Sequence, residues 1–205
     1  MALQEEFKTQ GDFLFTNRSY LPLIILVIGL AVFIHTKYYQ IETQNILLFG
    51  YFEFVCLGMS LLGLLIRIIT IGITPKNTSG RNTTEGQIAE ELNVTGIYST
   101  VRHPLYLGNF FMWLGVAMLT NNAWFTVSFI LFYMIYYERI MYAEESFLRE
   151  KFQDLYLNWA KNTPAFIPSF KNYNKAKYPF SFKKVLKKEK NGLAAVFLLF
   201  WLFNM

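Results

Sequence analysis

Apolar residues in this chain come in long blocks, not at the one-face spacing of a soluble helix. Residues 21–34, LPLIILVIGLAVFI, form the first block, with Tyr20 and the pair Tyr38 and Tyr39 near its ends. The second, Ile46 to Ile73, is interrupted only by Glu53 and Arg67. A third runs from Pro104 to Leu119 and a fourth from Ala123 to about Tyr137. A fifth, GLAAVFLLFWLFNM, begins at Gly192. A helix crossing a bilayer needs ~20 mostly apolar residues, and no fewer than about 17. With their polar shoulders the blocks predict five spans, over about 20–36, 46–72, 104–120, 123–140 and 192–205. The fifth looks cut short for a crossing, as in a chain lacking its C-terminal portion.

The same pattern predicts what lies between the blocks. The TNN at 120–122 is a tight connection, so the third and fourth spans form a hairpin. From Ala123 to about Lys161 there is no Pro or Gly, so the fourth span continues as a helix past the membrane, rising ~1.5 Å per residue. The two prolines of TPAFIP, residues 163–168, end it. The 74–95 segment, rich in Thr, Asn and Gly, begins irregular. Its second half, with Glu85, Glu90 and Glu91, suits a short surface helix.

Composition sharpens this to an all-α, polytopic membrane protein of one domain, residues 1–205. Of 205 residues 54% are hydrophobic and 16% charged, against about 45–50% and about 25% for soluble domains. The first 19 residues lack the basic–apolar–small order of a cleavable signal. The single cysteine, Cys56, excludes intramolecular disulfides and a cysteine metal cluster, and reads as a small core hydrophobe. No metal site and no nucleic-acid partner is expected.

Charge supplies orientation. Residues 138–191 hold twelve Lys or Arg, whereas the 36–45 loop has only Lys37 and the 120–122 turn has none. Positive-inside reasoning puts the N-terminus, the 74–103 loop and the 138–191 segment in the cytoplasm. The run KKVLKKEK, Lys183 to Lys190, is either a strip for anionic lipid or the topogenic flank of the fifth span.

Two places carry candidate chemistry. Arg102-His103-Pro104 leads directly into the third block, with Tyr106 and Asn109 in the next two turns. Pro suits the first helical position, and a helix start offers N–H donors and partial positive charge to an anion. The triplet is either such a site or an interface arginine and a helix cap. Glu144 and Glu145 lie beyond the fourth block, beside an apolar and aromatic stripe of Tyr142, Phe147, Leu148, Phe152 and Tyr156. They are either a solvated face or one wall of a site. Glu53 and Arg67, fourteen residues apart, would lie about 21 Å apart along one helix at 1.5 Å per residue and cannot pair. Arg67 is expected to snorkel to the cytoplasmic edge, and Glu53 is a functional suspect or a partner to another helix.

GIYSTVRHPLYLG, then a hairpin, then AEESFLREKFQDLYLNWAKNTPAFIP, resembles the isoprenylcysteine carboxyl methyltransferase family, which includes phospholipid methyltransferases. The matching residues are Arg102, His103, Pro104, Tyr106 and Gly108; Glu144 and Glu145; Phe152 and Tyr156; and Pro164, Phe166 and Pro168. The likeness covers about residues 94–170. Two positions depart from it, Gln153 where the family often has Gly and Trp159 where it often has Tyr.

The resemblance implies S-adenosylmethionine bound on the cytoplasmic side, in a pocket of helix ends and a Pro/aromatic strip built from about 94–109 and 141–170. His103 and Tyr106 would hold its carboxylate, with Leu107 beside them and the backbone near Gly96 and Tyr98 lining the pocket. Glu144 or Glu145 would take its amino group, and Pro164 to Pro168, including Phe166, would cover the adenosine. Arg102, Glu145 and Arg149 are the implied catalytic residues, Arg102 or Arg149 steadying an anionic acceptor. That acceptor would be membrane lipid: a phosphate oxygen, as in the lipid A 1-phosphate assigned to similar bacterial proteins, or a carboxylate. Two rivals remain. Membrane sterol and steroid reductases, which use NADPH, carry a related Arg-His-Pro-x-Tyr motif, and a non-catalytic scaffold would keep the fold without the activity.

Overall fold

The computed structural model describes residues 2–39, 46–75, 87 and 89–203. Among them there are six α-helices, one short 3-10 turn and no strand. The helices are α1 (Leu3–Thr16), α2 (Leu21–Tyr39), α3 (Ile46–Ile73), α4 (Pro104–Met118), α5 (Ala123–Asn162) and α6 (Phe182–Phe203), with the 3-10 turn at Gly96–Ser99.

Two windows are by themselves long and apolar enough to cross a membrane, Pro22–Tyr39 and Tyr51–Ile73, and Pro104–Met118 is a shorter apolar helix. The outward faces are apolar too: Val27, Phe54, Leu131 and Trp201 all stand more than half exposed. An apolar outer surface of that extent is what a hydrocarbon environment selects.

The central seam joins α3 to α4. Ser60 Oγ donates to the Met112 carbonyl at 2.9 Å. A Cβ on Gly63 would collide with the Gly108 carbonyl, and one on Gly115 with Ser60 and the Cys56 carbonyl. Small residues let apolar helices approach until van der Waals contact and interhelical hydrogen bonds hold them. That is the physical reason for Gly108 in the Arg-His-Pro-x-Tyr-x-Gly stretch. On the other side of α4 an aromatic cluster of Phe110, Phe129, Tyr133 and Tyr137 binds it to α5.

Several boundaries differ from the sequence reading. The last helix starts ten residues earlier than Gly192, at Phe182, so it has 22 residues and the run Lys183–Lys190 forms its first turns. Basic residues hid that start, because hydropathy dips wherever a helix presents lysines at its outer face. Lys184 bonds the Thr74 and Pro75 carbonyls at the end of α3. The short helix expected around Glu85–Glu91 is not formed at residues 89–95, and Glu85 lies outside the described residues. The N-terminal helix α1 had no counterpart in the hydropathy pattern. It packs on α5 through Gly11, whose hydrogen faces the Arg139 carbonyl and the Ala143 methyl.

The long helix α5 behaves as the absence of Pro and Gly suggests, with one exception. Gln153 adopts φ 45° and ψ −119°, a conformation that favours glycine. It is the position where the resembling family often has Gly. The bend re-aims the last turns of α5, so that Trp159 Nε1 donates to the Tyr98 carbonyl at 3.0 Å and Tyr156 meets Arg102.

Candidate active site

His103 is the N-cap of α4 and Pro104 its first residue, as the helix-start reading requires. The backbone before it is not left open to a ligand. Arg102 N–H donates to the Pro164 carbonyl at 2.9 Å, His103 N–H to Ala165 at 3.2 Å, and Ser169 N–H to Thr100 at 2.9 Å. The strip after α5 is therefore laced along residues 100–103. Gly96 supports the same corner: its φ of 62° is in the left-handed region and a Cβ there would strike Ile73.

The His103 side chain is buried and bridges the two glutamates. Its Nε2 lies 2.9 Å from Glu145 Oε1 and its Nδ1 3.5 Å from Glu144 Oε2. Arg102 NH1 approaches the other Glu145 oxygen at 3.3 Å. Burial opposes charge on the imidazole, but hydrogen bonds to Glu144 and Glu145 and their charges raise its pKa above the ordinary 6.5. Burial likewise works against both carboxylates; the His103 bond and charge outweigh it and hold each below the ordinary 4.5. Two acids thus face a guanidinium and an imidazole whose protonated form they favour. The buried Arg102 Nε has no acceptor among the described residues. Leaving such a donor unpaired costs about 1–3 kcal/mol, so it is a place where an oxyanion gains.

These residues line a cavity of ≈ 370 Å³, within the roughly 300–1,000 Å³ of small-molecule sites. Tyr98, Tyr156 and Trp159 join the same lining. A second cluster lies six residues further along α4 at Asn109, about 9 Å at 1.5 Å per residue. There Arg67 donates from Nε and NH2 to Glu189 at 2.9 and 2.6 Å, and from NH1 to Asn109 Oδ1 at 2.5 Å. Arg67 does not snorkel away, as its lone position in the second block suggested. It is matched by a glutamate on α6 that is 4% exposed.

Of the residues singled out from the sequence, Arg102, His103, Tyr106, Tyr98, Glu144 and Glu145 come together around the cavity. Gly96, Leu107, Pro164 and Phe166 stand behind it: Leu107 is buried in α4, and Phe166 packs on Phe110 with ring centroids 5.7 Å apart. Arg149 is exposed on α5 and Glu53 half-buried on α3, both outside the cavity lining. Sequence reasoning missed Arg18, which reaches the cavity from the turn after α1, and the Arg67–Glu189 pair. The signal for Glu189 was available: it is the lone acid of the basic run, in register with the buried Val185, Val196, Phe200 and Phe203.

A helical membrane-type protein with an ionic cluster walled by the start of one apolar helix and the extension of another is the class these features define. The phospholipid methyltransferase family model matches residues 53–154, about half of the chain. Through that segment the chain is similar to the phospholipid methyltransferase family. It is also similar to a protein-S-isoprenylcysteine O-methyltransferase of Schizosaccharomyces pombe, 40% identical over 36% of this chain and 31% of that one. It resembles the nickel-cobalt-cadmium resistance protein NccN of Alcaligenes xylosoxydans xylosoxydans, 33% identical over 40% of this chain and 38% of the relative. The cobalt-zinc-cadmium resistance protein CzcN of Cupriavidus metallidurans is 32% identical over 43% and 40%. The match thus spans less than half the length of each relative. No solved structure matches the chain.

Proposed function

We propose that the protein is an S-adenosylmethionine-dependent membrane methyltransferase that modifies a lipid-embedded acceptor, either a phosphate oxygen of the lipid A 1-phosphate type or a carboxylate. The observation that carries this is the Arg102–His103–Glu144–Glu145 cluster around the buried His103, with the Arg102 Nε lacking an acceptor among the described residues. The residues fit the donor's charges. Glu144 and Glu145 suit its ammonium, the Arg102 Nε its carboxylate, and Tyr98, Tyr156 and Trp159 offer aromatic faces to its adenosine and sulfonium. His103 acts mainly by keeping both glutamates ionised and aimed. When bound, the donor supplies a methyl carbon that leaves sulfur, which keeps the bonding electron pair, and bonds the acceptor oxygen.

The chain's own contribution is then positioning, which can supply a large part of the rate of a two-reactant step. In this reading α2, α3, α4, the first part of α5, and α6 are the five spans. The lysine-rich 138–191 segment and the cavity face the cytoplasm of a bacterial inner membrane.

Titrating S-adenosylhomocysteine calorimetrically into the detergent-purified protein tests the reading, beside Arg102→Gln, Glu144→Gln and Glu145→Gln. Saturable binding by the wild type, weakened at least tenfold by the charge-removing changes, is expected. A folded wild type that binds none would overturn it.

A further inference from the structure

The chain from the last turns of α5 into the first turns of α6 carries charge of one sign. Residues 155–188 hold eight lysines and no Asp or Glu. Three of the lysines are engaged within the molecule: Lys177 pairs with Glu91, Lys184 bonds the end of α3, and Lys188 lines the cavity. Lys171, Lys175, Lys183 and Lys187 are exposed, with no hydrogen bond or ion pair to the described residues. Among them stand Ile167, Phe170, Tyr173, Phe182 and Leu186, each at least 59% exposed. Backbone bonds fix where this face lies. Ser169 N–H donates to Thr100, Gly96 N–H to Asn174 and Ser181 N–H to Gly72. The strip therefore runs along one end of the bundle, from the start of α4 to the end of α3. On α6, Lys183 and Lys187 lie about 200° round the helix from the buried Val185 between them, so they point away from the bundle.

We infer that the outer face of residues 167–187 is a docking surface for the anionic phospholipid headgroups of the leaflet it borders. In water, that many exposed aromatic and aliphatic groups would be unfavourable. At a bilayer interface the rings and chains enter the headgroup boundary, and the lysine ammoniums reach the phosphates. A zwitterionic headgroup brings its own ammonium and offers the strip no net charge. An anionic one does, and the strip has no carboxylate of its own to repel it. Each cation near such a surface adds a factor of about five to binding. The inner side of the same strip is laced to the start of α4, through the bonds of Arg102 and His103 to Pro164 and Ala165. Docking thus holds a wall of the cavity from outside. The inference rests on the membrane placement proposed above and is independent of the methyl donor.

The test is amide hydrogen exchange over residues 167–181 of the full chain in phosphatidylcholine nanodiscs, with and without phosphatidylglycerol. The variants are Lys171→Gln/Lys175→Gln and Lys183→Gln/Lys187→Gln. Phosphatidylglycerol should slow exchange in the wild-type strip by about tenfold or more, and each double change should remove most of that slowing. Amides of α4 and α5 should exchange alike in all three proteins, which general damage to the fold would not allow. Added salt should weaken the lipid effect. Equal exchange in the two lipids, or slowing that survives both double changes, would overturn the inference. So would the same slowing in pure phosphatidylcholine by glycerol phosphate, which would make the ligand a free phosphate, or by polyglutamate, which would make it an acidic protein. A full chain that stays monodisperse in water without lipid or detergent would strike the membrane placement itself, and the docking surface with it.

Discussion

Replacing Gln153 by glycine should stabilise the protein. The residue sits at φ 45° and ψ −119° with its side chain exposed, so the change sacrifices no packing. A non-glycine residue in a sparsely populated backbone region stores about 1–3 kcal/mol. Glycine gives back about 0.5–1 kcal/mol through its greater freedom in the unfolded chain. The net gain is therefore about 0–2.5 kcal/mol, which for a chain of this size raises the unfolding midpoint by up to about 10 °C. The assay is thermal unfolding in one detergent of wild type, Gln153→Gly and Gln153→Ala. Alanine keeps the Cβ responsible for the strain and should give no comparable gain. A midpoint for alanine that equals that of glycine, or a glycine variant that melts below wild type, would refute the reasoning. The bend directs Tyr156 and Trp159 to Arg102 and Tyr98, so in the proposed reading the glycine variant should bind S-adenosylhomocysteine as the wild type does.

The ionic cluster predicts a pH dependence of stability with two limbs. His103 is raised above 6.5, so its contribution is full below that value and is lost as pH climbs through its folded pKa. Glu144 and Glu145 are lowered from 4.5, so theirs is full above 4.5 and fades as pH falls through their folded values. The cluster contributes most between pH 4.5 and 6.5, and His103→Gln should flatten both limbs of a midpoint-against-pH curve; an unchanged curve would refute the bridging role. At the α3–α4 seam a Cβ on Gly108 would come 2.6 Å from Arg67 Cγ and 2.8 Å from the Gly63 carbonyl. Gly108→Ala should therefore cost about 1–3 kcal/mol by overpacking, read as a lower midpoint. Gly58→Ala, with nothing within 4 Å, is the control and should be neutral or gain up to about 1 kcal/mol from helix propensity. Gly11→Val should free α1 from α5, since the Arg139 carbonyl cannot retreat; faster protease cleavage within residues 3–16 is the check.

The sequence made helix type and order legible wherever one local rule governs. Pro104 marked a helix start, the Pro-free and Gly-free run from Ala123 marked a long helix, and the Arg-His-Pro and Glu-Glu motifs marked the site. Hydropathy failed where a helix is only half apolar. The amphipathic α1 and the lysine-studded start of α6 average to polar, although each buries one face against the rest of the molecule. Tertiary pairing was less legible still. Arg67 and Glu189 are 122 residues apart, and nothing local to either says that α3 and α6 meet.

The same distinction explains why the roles of motif residues shifted more than their positions. Arg102 and His103 sit where a helix start should bind an anion, yet their backbone donors are taken by Pro164 and Ala165. In the proposed reading an anion would meet side chains instead, among them Arg102, whose buried Nε has no acceptor among the described residues. The Pro-x-Phe-x-Pro strip serves the cavity indirectly: prolines stop α5, and the freed chain turns its carbonyls and amides along residues 100–103. Gly96 and Gly108 serve it indirectly too, one by a left-handed turn and one by admitting Arg67 to the seam. A motif records every residue the site depends on, whether it touches a ligand or holds another residue in place. Only the packing separates the two, and it divides this motif into a four-residue ionic cluster and the backbone frame that aims it.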